Sequence, residues 1–165
     1  VLNSTNKNFS KYIYSDISKT FLRKGKKRFN NYDFMEYKIL DITKNPDLQG
    51  YENEKYDIIF SVNVLHAVSS INESLDILKS LLNENGILII SELAAPENSI
   101  NRFMELTFGF LPSYNEYKDH DIRPLSPLIT PDKWVSILEK KGFSNVIKIP
   151  SLNEEKSFQG RNLGG

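Results

Sequence analysis

The chain has 165 residues, enough for one domain of ordinary size, and its 21 basic and 21 acidic side chains give a formal net charge of zero. This balance argues against binding of nucleic acid or of an anionic membrane through a broad charged surface. The chain contains no cysteine, which excludes disulfides and cysteine-ligated metals, and we find neither a signal peptide nor an apolar run that could span a bilayer. We therefore expect a cytoplasmic protein.

Short apolar runs alternate with segments of helical periodicity along the chain. The first half predicts a strand at 9–15, a helix opened by Ser18 with Phe21 and Leu22 inside, a strand at 34–40, a loop or short helix at 43–55 and a strand at 58–62. The second half predicts a helix capped by Ser70 and Glu73, a turn at Gly86, a strand at 87–90, an irregular insertion at 94–126, a helix opened by Thr130 and Pro131, and a strand at 145–149.

This order of elements predicts an α/β sandwich with a mainly parallel sheet in residues 1–150, followed by a polar tail at 151–165. The runs at 58–62 and 87–90 are continuously apolar, which is typical of strands that are buried on both faces.

Polar side chains follow the predicted strands at their carboxyl ends, the edge where open parallel sheets bind ligands. Asp16 and Asp41 end the first two strands. His66 follows the third strand, together with Asn63, and Glu92 follows the fourth. We therefore expect a ligand site at this edge of the sheet.

Residue type gives each of these side chains two possible roles. The Asp16 carboxylate could accept both hydroxyls of a ribose, or it could simply begin a helix, where the dipole favours an acid. Glu92 could fix the tautomer of His66 and make it a general base, or His66 could be a cap and Glu92 a solvated acid. The pattern leaves the Asp16 question open, whereas for His66 and Glu92 the pattern alone favours the cap and the solvated acid. His120 has no second histidine nearby and is predicted to be an exposed loop residue rather than a metal ligand.

Several segments closely resemble the C-methyltransferase domain of modular polyketide synthases, a branch of the class I S-adenosylmethionine-dependent methyltransferases. They are YIYSDIS (12–18), FMEYKILDI (34–42), YDIIFSVNVLHA (56–67), LTFGF (106–110), DIRPLSPLITPDKW (121–134) and KKGF (140–143). This resemblance implies a Rossmann-like class I methyltransferase fold and S-adenosylmethionine as the cofactor.

The resemblance also implies a role for each site residue. Asp16 would hold the cofactor ribose, Asp41 and Ile42 would lie at the adenine, and Asn63 would line the cofactor side of the pocket. His66 and Glu92, 26 positions apart (92 − 66), match the family's catalytic pair. They would deprotonate the α-carbon of a β-ketoacyl thioester on an acyl carrier protein, with neighbouring synthase domains as further partners.

One expected motif is absent. No G-x-G-x-x-G occurs in the chain, and the family's first strand and Gly-rich cofactor loop would precede residue 1. We therefore expect a fragment whose sheet is incomplete at the N-terminus and also at the C-terminus. Two alternatives remain: an inactive methyltransferase-like structural domain of a megasynthase, and a free-standing small-molecule O- or N-methyltransferase.

Overall fold

The structure, a computed structural model, describes residues 10–96, 100 and 102–149. These residues form two units, the first ending at Lys55 and the second beginning at Tyr56. Each unit contains one pair of parallel strands. The predicted α/β class with parallel strands is therefore confirmed. The predicted tail at 151–165 lies outside the described residues.

The first unit is a β-α-β arrangement. Its elements are β1 (Tyr12–Asp16), α1 (Lys19–Arg28), β2 (Met35–Ile39) and the short 3-10 helix η1 (Pro46–Gln49). The two strands pair in parallel, with Asp16 opposite Ile39, so both end at the same edge. This register places Asp16 at the carboxyl edge of the pair, with Asp41 two residues beyond the end of β2.

The start of α1 differs from the prediction in two respects. Ser18 lies at the N-cap position, but its side chain makes no capping hydrogen bond. Phe21, predicted to face inward, is exposed. Basic residues dominate this helix, and its buried residue is Gly25, where a Cβ atom would come 2.9 Å from a ring carbon of Tyr14. The helix therefore packs through its backbone at Gly25 rather than through an aromatic side chain.

The second unit also begins with a β-α-β arrangement. Its elements are β3 (Tyr56–Val62), the 3-10 helix η2 (Leu65–Ala67), α2 (Ile71–Ser80), β4 (Leu82–Ser91), α3 (Arg102–Phe108) and α4 (Pro131–Lys140). Strands β3 and β4 are parallel, with Val62 opposite Ser91, so they too end at one edge. No helix in the described residues is both long enough and apolar enough to cross a membrane.

Helix caps in the second unit follow the sequence closely. Ser70 Oγ accepts a hydrogen bond from the Glu73 amide at the start of α2, and Thr130 Oγ1 accepts one from the Lys133 amide at the start of α4. Each bond satisfies a backbone donor that the first turn of a helix leaves without a partner. Gly142 follows α4 with a positive φ of 77°, as expected for a helix stop.

The predicted turn at Gly86 is wrong. Strand β4 starts at Leu82, directly after α2, and Gly86 lies inside the strand, outside the positive-φ positions. A Cβ atom at Gly86 would come 3.0 Å from the Tyr56 carbonyl oxygen and 2.9 Å from Leu82 Cδ2. The absence of a side chain at Gly86 therefore lets the backbone of β3 lie close to β4, next to the irregular register between Tyr56 and Ile58.

Two further predictions about strands are wrong. One face of the β3–β4 pair is exposed in the described part of the chain, although burial on both faces was predicted; its side chains are Ile58, Phe60, Val62, Ile87 and Ile89. Residues 145–149 form no strand, and Ile147 and Ile149 are 80% and 85% exposed. A β-branched run becomes a strand only when a neighbour accepts its hydrogen bonds, and no described strand pairs with this one.

Candidate active site

His66 and Glu92 are in direct contact where β3 and β4 end. The Nδ1 atom of His66 lies 2.6 Å from Oε2 of Glu92. The Glu92 side chain is only 3% exposed, whereas that of His66 is 21% exposed. The parallel pairing of the two strands brings these residues together across 26 positions of sequence, because both follow the same edge. The predicted proximity of His66 and Glu92 is therefore present in the structure.

The second oxygen of Glu92 holds the turn that carries His66. Glu92 Oε1 accepts hydrogen bonds from the backbone amides of Val64, at 2.7 Å, and Leu65, at 2.8 Å. An ionised carboxylate can only accept hydrogen bonds, so Nδ1 of His66 donates its proton to Oε2. The opposite ring nitrogen, Nε2, is then the atom with a lone pair, which is the state that a proton acceptor requires.

The backbone around Asn63 turns the chain from β3 into η2. Asn63 has a positive φ of 51°, a conformation that asparagine tolerates better than most residues, and its amide donates to the Ser91 carbonyl at 2.8 Å. Leu65, two residues later, is fully buried and anchors the turn. The Asn63 side chain is exposed at the same edge as His66.

A buried arginine holds the same turn from the other side. Arg123 is 0% exposed, and its Nη1 donates to the His66 carbonyl at 3.0 Å. Its Nη2 donates to the carbonyls of Val68, at 2.9 Å, and Ser69, at 3.2 Å. Its Nε donates to Asp119 Oδ1 at 2.6 Å. All three guanidinium nitrogens are therefore bound, which is what makes a buried arginine tolerable.

Asp119 completes this arrangement. Its Oδ2 accepts the amide of Ile71, the first residue of α2, at 2.7 Å, while its Oδ1 binds Arg123. The Tyr117 ring lies against the guanidinium, whose Cζ is 4.3 Å from the ring centroid. Burial raises the pKa of the Tyr117 hydroxyl, and the positive charge of Arg123 acts in the opposite direction. His120, in the same segment, is exposed as predicted.

The sequence pattern did not predict this ion pair. Arg123 lies in the segment DIRPLSPLITPDKW (121–134), to which no individual role was given. Two signals could have identified it: Arg123 is the only charged residue between Asp121 and Asp132, and Asp119 precedes it by four positions. A single charge in an apolar stretch is rarely buried without a partner.

In the first unit, Asp16 makes the helix-entry contact, which is one of the two roles that its sequence position left open. Its Oδ1 accepts the backbone amide of Ser18 at 2.7 Å, which ties the end of β1 to the start of α1. Its Oδ2 has no hydrogen bond among the described residues. The helix-entry contact is therefore present, and one carboxylate oxygen stays available at the carboxyl edge of the strand pair.

The Asp41 carboxylate is engaged at both oxygens. Oδ1 accepts from the Thr43 amide at 3.0 Å and hydroxyl at 2.6 Å, and Oδ2 lies 2.9 Å from Lys44 Nζ. Although burial opposes the change, the hydrogen bonds from Thr43 and Lys44 lower the pKa of Asp41. Ile42 is buried. Asp41 and Asp16 thus share an edge, but no bond joins them in the part of the chain that the structure describes.

The predicted insertion contains a polar contact of its own. Glu105 Oε1, on α3, accepts from the Tyr114 hydroxyl at 3.0 Å and from Ser126 Oγ at 2.6 Å. Burial, reinforced by the Glu105 carboxylate, raises the pKa of Tyr114 to about 12, so this hydroxyl keeps its proton at neutral pH. The contact ties both ends of residues 114–126 to α3.

Comparison with known proteins identifies the family of this chain. A family model described as methyltransferase domain matches residues 1–88. The highly reducing polyketide synthase gloL of Glarea lozoyensis is 40% identical over 136 residues, which are 82% of this chain and 5% of that synthase. The chain thus spans a small part of the curated relatives that it matches.

Solved structures point to the same branch. The CurJ carbon methyltransferase is 34% identical with a TM-score of 0.82, over 92% of this chain and 39% of that one. The trans-methyltransferase CalH, solved in complex with SAH, is 36% identical with a TM-score of 0.72, over 82% of this chain and 36% of that one. These likenesses confirm the predicted Rossmann-like class I methyltransferase fold. The chain belongs to the methyltransferase domain family, on the branch of the C-methyltransferase domains of polyketide synthases.

Proposed function

We propose that this chain forms the carbon-methylating part of a polyketide synthase, with S-adenosylmethionine as the methyl donor. The substrate is a β-ketoacyl thioester on an acyl carrier protein, methylated at the carbon between its two carbonyls. The observation that carries the proposal is the 2.6 Å contact between His66 and Glu92 at the ends of two parallel strands. Membership of the C-methyltransferase branch supports it, and the synthase relatives make neighbouring synthase domains the expected partners.

The residues at the strand ends fit this cofactor. The Oδ2 atom of Asp16, which no described residue binds, can accept the hydroxyls of a ribose. Asp41 and Ile42 would lie at the adenine, and the exposed Asn63 would line the cofactor side of the pocket. When bound, S-adenosylmethionine would supply a sulfonium methyl group for attack by a carbon nucleophile, and the electron pair of the broken S–C bond would stay on sulfur in S-adenosylhomocysteine.

His66 would remove the proton from the substrate carbon. The Nε2 lone pair takes this proton, and the electron pair of the C–H bond spreads onto the ketone and thioester oxygens as an enolate. Glu92, bound to Nδ1, stabilises the imidazolium that forms and keeps the ring in place. The partial exposure of His66 leaves it accessible to a substrate, and its proton then passes to solvent.

The exposed apolar side chains of the insertion would contact the acyl chain. Phe103 and Leu106 on α3 are exposed, as is Phe110 in the turn that follows. An acyl chain that covered them would gain about 25 cal/mol for each Å² of apolar surface removed from water. Covering this surface would also exclude water from the reacting carbon.

The first test separates proton removal from methyl transfer. We expect the intact protein to catalyse deuterium exchange from solvent at the α-carbon of a β-ketoacyl thioester, and to methylate that carbon when S-adenosylmethionine is added. Mass spectrometry follows both reactions, with a thioester lacking the β-keto group as the control substrate. Neither exchange nor methylation above the protein-free rate would favour an inactive structural domain. Methylation of a hydroxyl or amine instead would favour an O- or N-methyltransferase.

The cofactor role of Asp16 predicts a specific loss of affinity. In Asp16→Asn the amide oxygen can still accept from Ser18, but the second oxygen becomes an NH2 group and the charge is lost. A hydrogen bond to a charged group contributes about 1.5–3 kcal/mol, so affinity for S-adenosylmethionine should fall about 10- to 100-fold. Calorimetric titration of the intact protein measures this affinity.

The matched control for this variant is Asp33→Asn. Asp33 is an exposed residue at the opposite end of β2, where no cofactor contact is expected. The Asp33→Asn variant should therefore bind S-adenosylmethionine with the original affinity. Unchanged affinity in Asp16→Asn would leave Asp16 with the helix-entry role alone.

A further inference from the structure

We propose that the buried Arg123–Asp119 pair is the device that positions His66, and that it acts through the backbone of the turn between β3 and α2. The inference rests on the proposed role of His66 as the base. Arg123 contacts neither the imidazole ring nor Glu92 among the hydrogen bonds of the described residues. It binds instead the carbonyls of His66, Val68 and Ser69.

The geometry explains why arginine is suited to this position. A guanidinium has five N–H donors in a rigid plane, and here they reach one carboxylate and three carbonyls in different directions. A lysine ammonium has its three donors at a single point and cannot make the same set of bonds. Arg123 therefore binds three of the four carbonyl groups of residues 66–69, those of His66, Val68 and Ser69.

Asp119 fixes the other end of the turn. Its Oδ2 accepts the amide of Ile71, where α2 begins, and the neighbouring Lys118 amide donates to the Ser69 carbonyl at 2.8 Å. The turn is therefore held on one side by Glu92, through two backbone amides, and on the other by Lys118, Asp119 and Arg123. His66 lies between these two sets of contacts, which together set the position of its ring.

The burial of two charged side chains distinguishes this arrangement from ordinary apolar packing. Arg123 is completely buried and Asp119 is 7% exposed, so neither charge can turn to water if its partner is lost. Nothing in the proposed chemistry uses these two charges directly. Apolar side chains could fill the same space at a lower desolvation cost, but they could not bind the three carbonyls of the turn.

The test compares Arg123→Lys with two controls in the intact protein. We expect kcat for methyl transfer to fall about 10- to 100-fold, because a small misplacement of a reacting group costs that much, while KM for S-adenosylmethionine changes less than about threefold. Arg23→Lys makes the same chemical change at an exposed position and should have no effect. Ile137→Ala removes a buried side chain of α4, outside the hydrogen bonds described above, and controls for a general loss of stability.

A spectroscopic readout follows the His66 ring itself. In protein labelled with 15N in histidine, the proton between His66 Nδ1 and Glu92 should give a far-downfield resonance, assigned by its absence in His66→Gln. We expect this resonance to weaken or disappear in Arg123→Lys and to persist in both controls.

The outcomes separate this inference from the proposed function. An unchanged resonance and an unchanged kcat in Arg123→Lys would overturn the positioning role, as would an equal loss of kcat in Ile137→Ala. If Arg123→Lys does not fold, Asp119→Asn provides the same test, since it keeps the shape of the side chain and removes the charge that holds Arg123. Full activity in His66→Gln would overturn the base assignment alone, because the resonance still reports how the ring is held.

Discussion

Replacement of His66 by glutamine is expected to reduce methyl transfer about 10²- to 10⁴-fold, the range over which a positioned general base contributes to a rate. Glutamine has a similar reach, but it has no nitrogen that can take up a proton at neutral pH. Solvent deuterium exchange at the substrate α-carbon should fall in parallel, since it depends on the same proton removal. Affinity for S-adenosylmethionine should stay nearly unchanged, because the base is assigned to the substrate.

The chain offers an exact chemical match as the control, since its only other histidine is His120. That residue is exposed in the segment that also contains Asp119, so His120→Gln should retain the original rate and the original exchange. The proposal fails if His66→Gln methylates at the original rate. It is also weakened if exchange persists while methylation is lost, because His66 would then act after proton removal rather than in it.

The contact between His66 and Glu92 could be anticipated from the sequence because it follows from topology. Continuous apolar runs separated by a capped helix predict parallel neighbours, and parallel neighbours end at one edge of a sheet. The structure places Val62 opposite Ser91, so the residues just beyond them meet. The edge positions of Asp16 and Asp41 follow from the same rule applied to β1 and β2.

The hydrogen bonds that hold the site could not be anticipated in this way. Both Glu92 and Arg123 bind backbone groups of the turn, and backbone groups have no signature in a sequence. Similarly, the exposed apolar face of β3 and β4 and the irregular course of 145–149 depend on what covers or pairs with those residues. Apolar periodicity indicates which helices and strands are possible. Contacts with the rest of the fold determine which of them form and which of their faces are buried.

Replacement of Glu92 by glutamine is expected to reduce methyl transfer by a factor similar to that of the His66 variant, about 10²- to 10⁴-fold, with little loss of stability. The glutamine oxygen can still accept the amides of Val64 and Leu65, so the turn keeps its contacts. The glutamine NH2 group faces His66 Nδ1, however, and can only donate to it. The ring must then place its own proton on Nε2, the atom that should take the substrate proton.

Glu92→Ala separates this tautomer effect from the support of the turn. It removes the acceptor of two backbone amides as well as the partner of His66, so it should lower both the rate and the unfolding temperature. The 15N shifts of the histidine ring distinguish the two tautomers directly. We expect Glu92→Gln to move the proton from Nδ1 to Nε2 without changing the fold seen by circular dichroism. A ring that keeps its Nδ1 proton in Glu92→Gln would contradict this account.

The double variant His66→Gln/Glu92→Gln completes the argument, because two residues that act as one unit give non-additive effects. If Glu92 acts only by setting the state of His66, its replacement should cost nothing further once His66 is gone, and the double variant should match His66→Gln. A further loss of about tenfold or more would mean that the carboxylate also acts on the substrate or the cofactor directly. The side chain is 3% exposed and both of its oxygens are bound within the protein, so we expect the non-additive result.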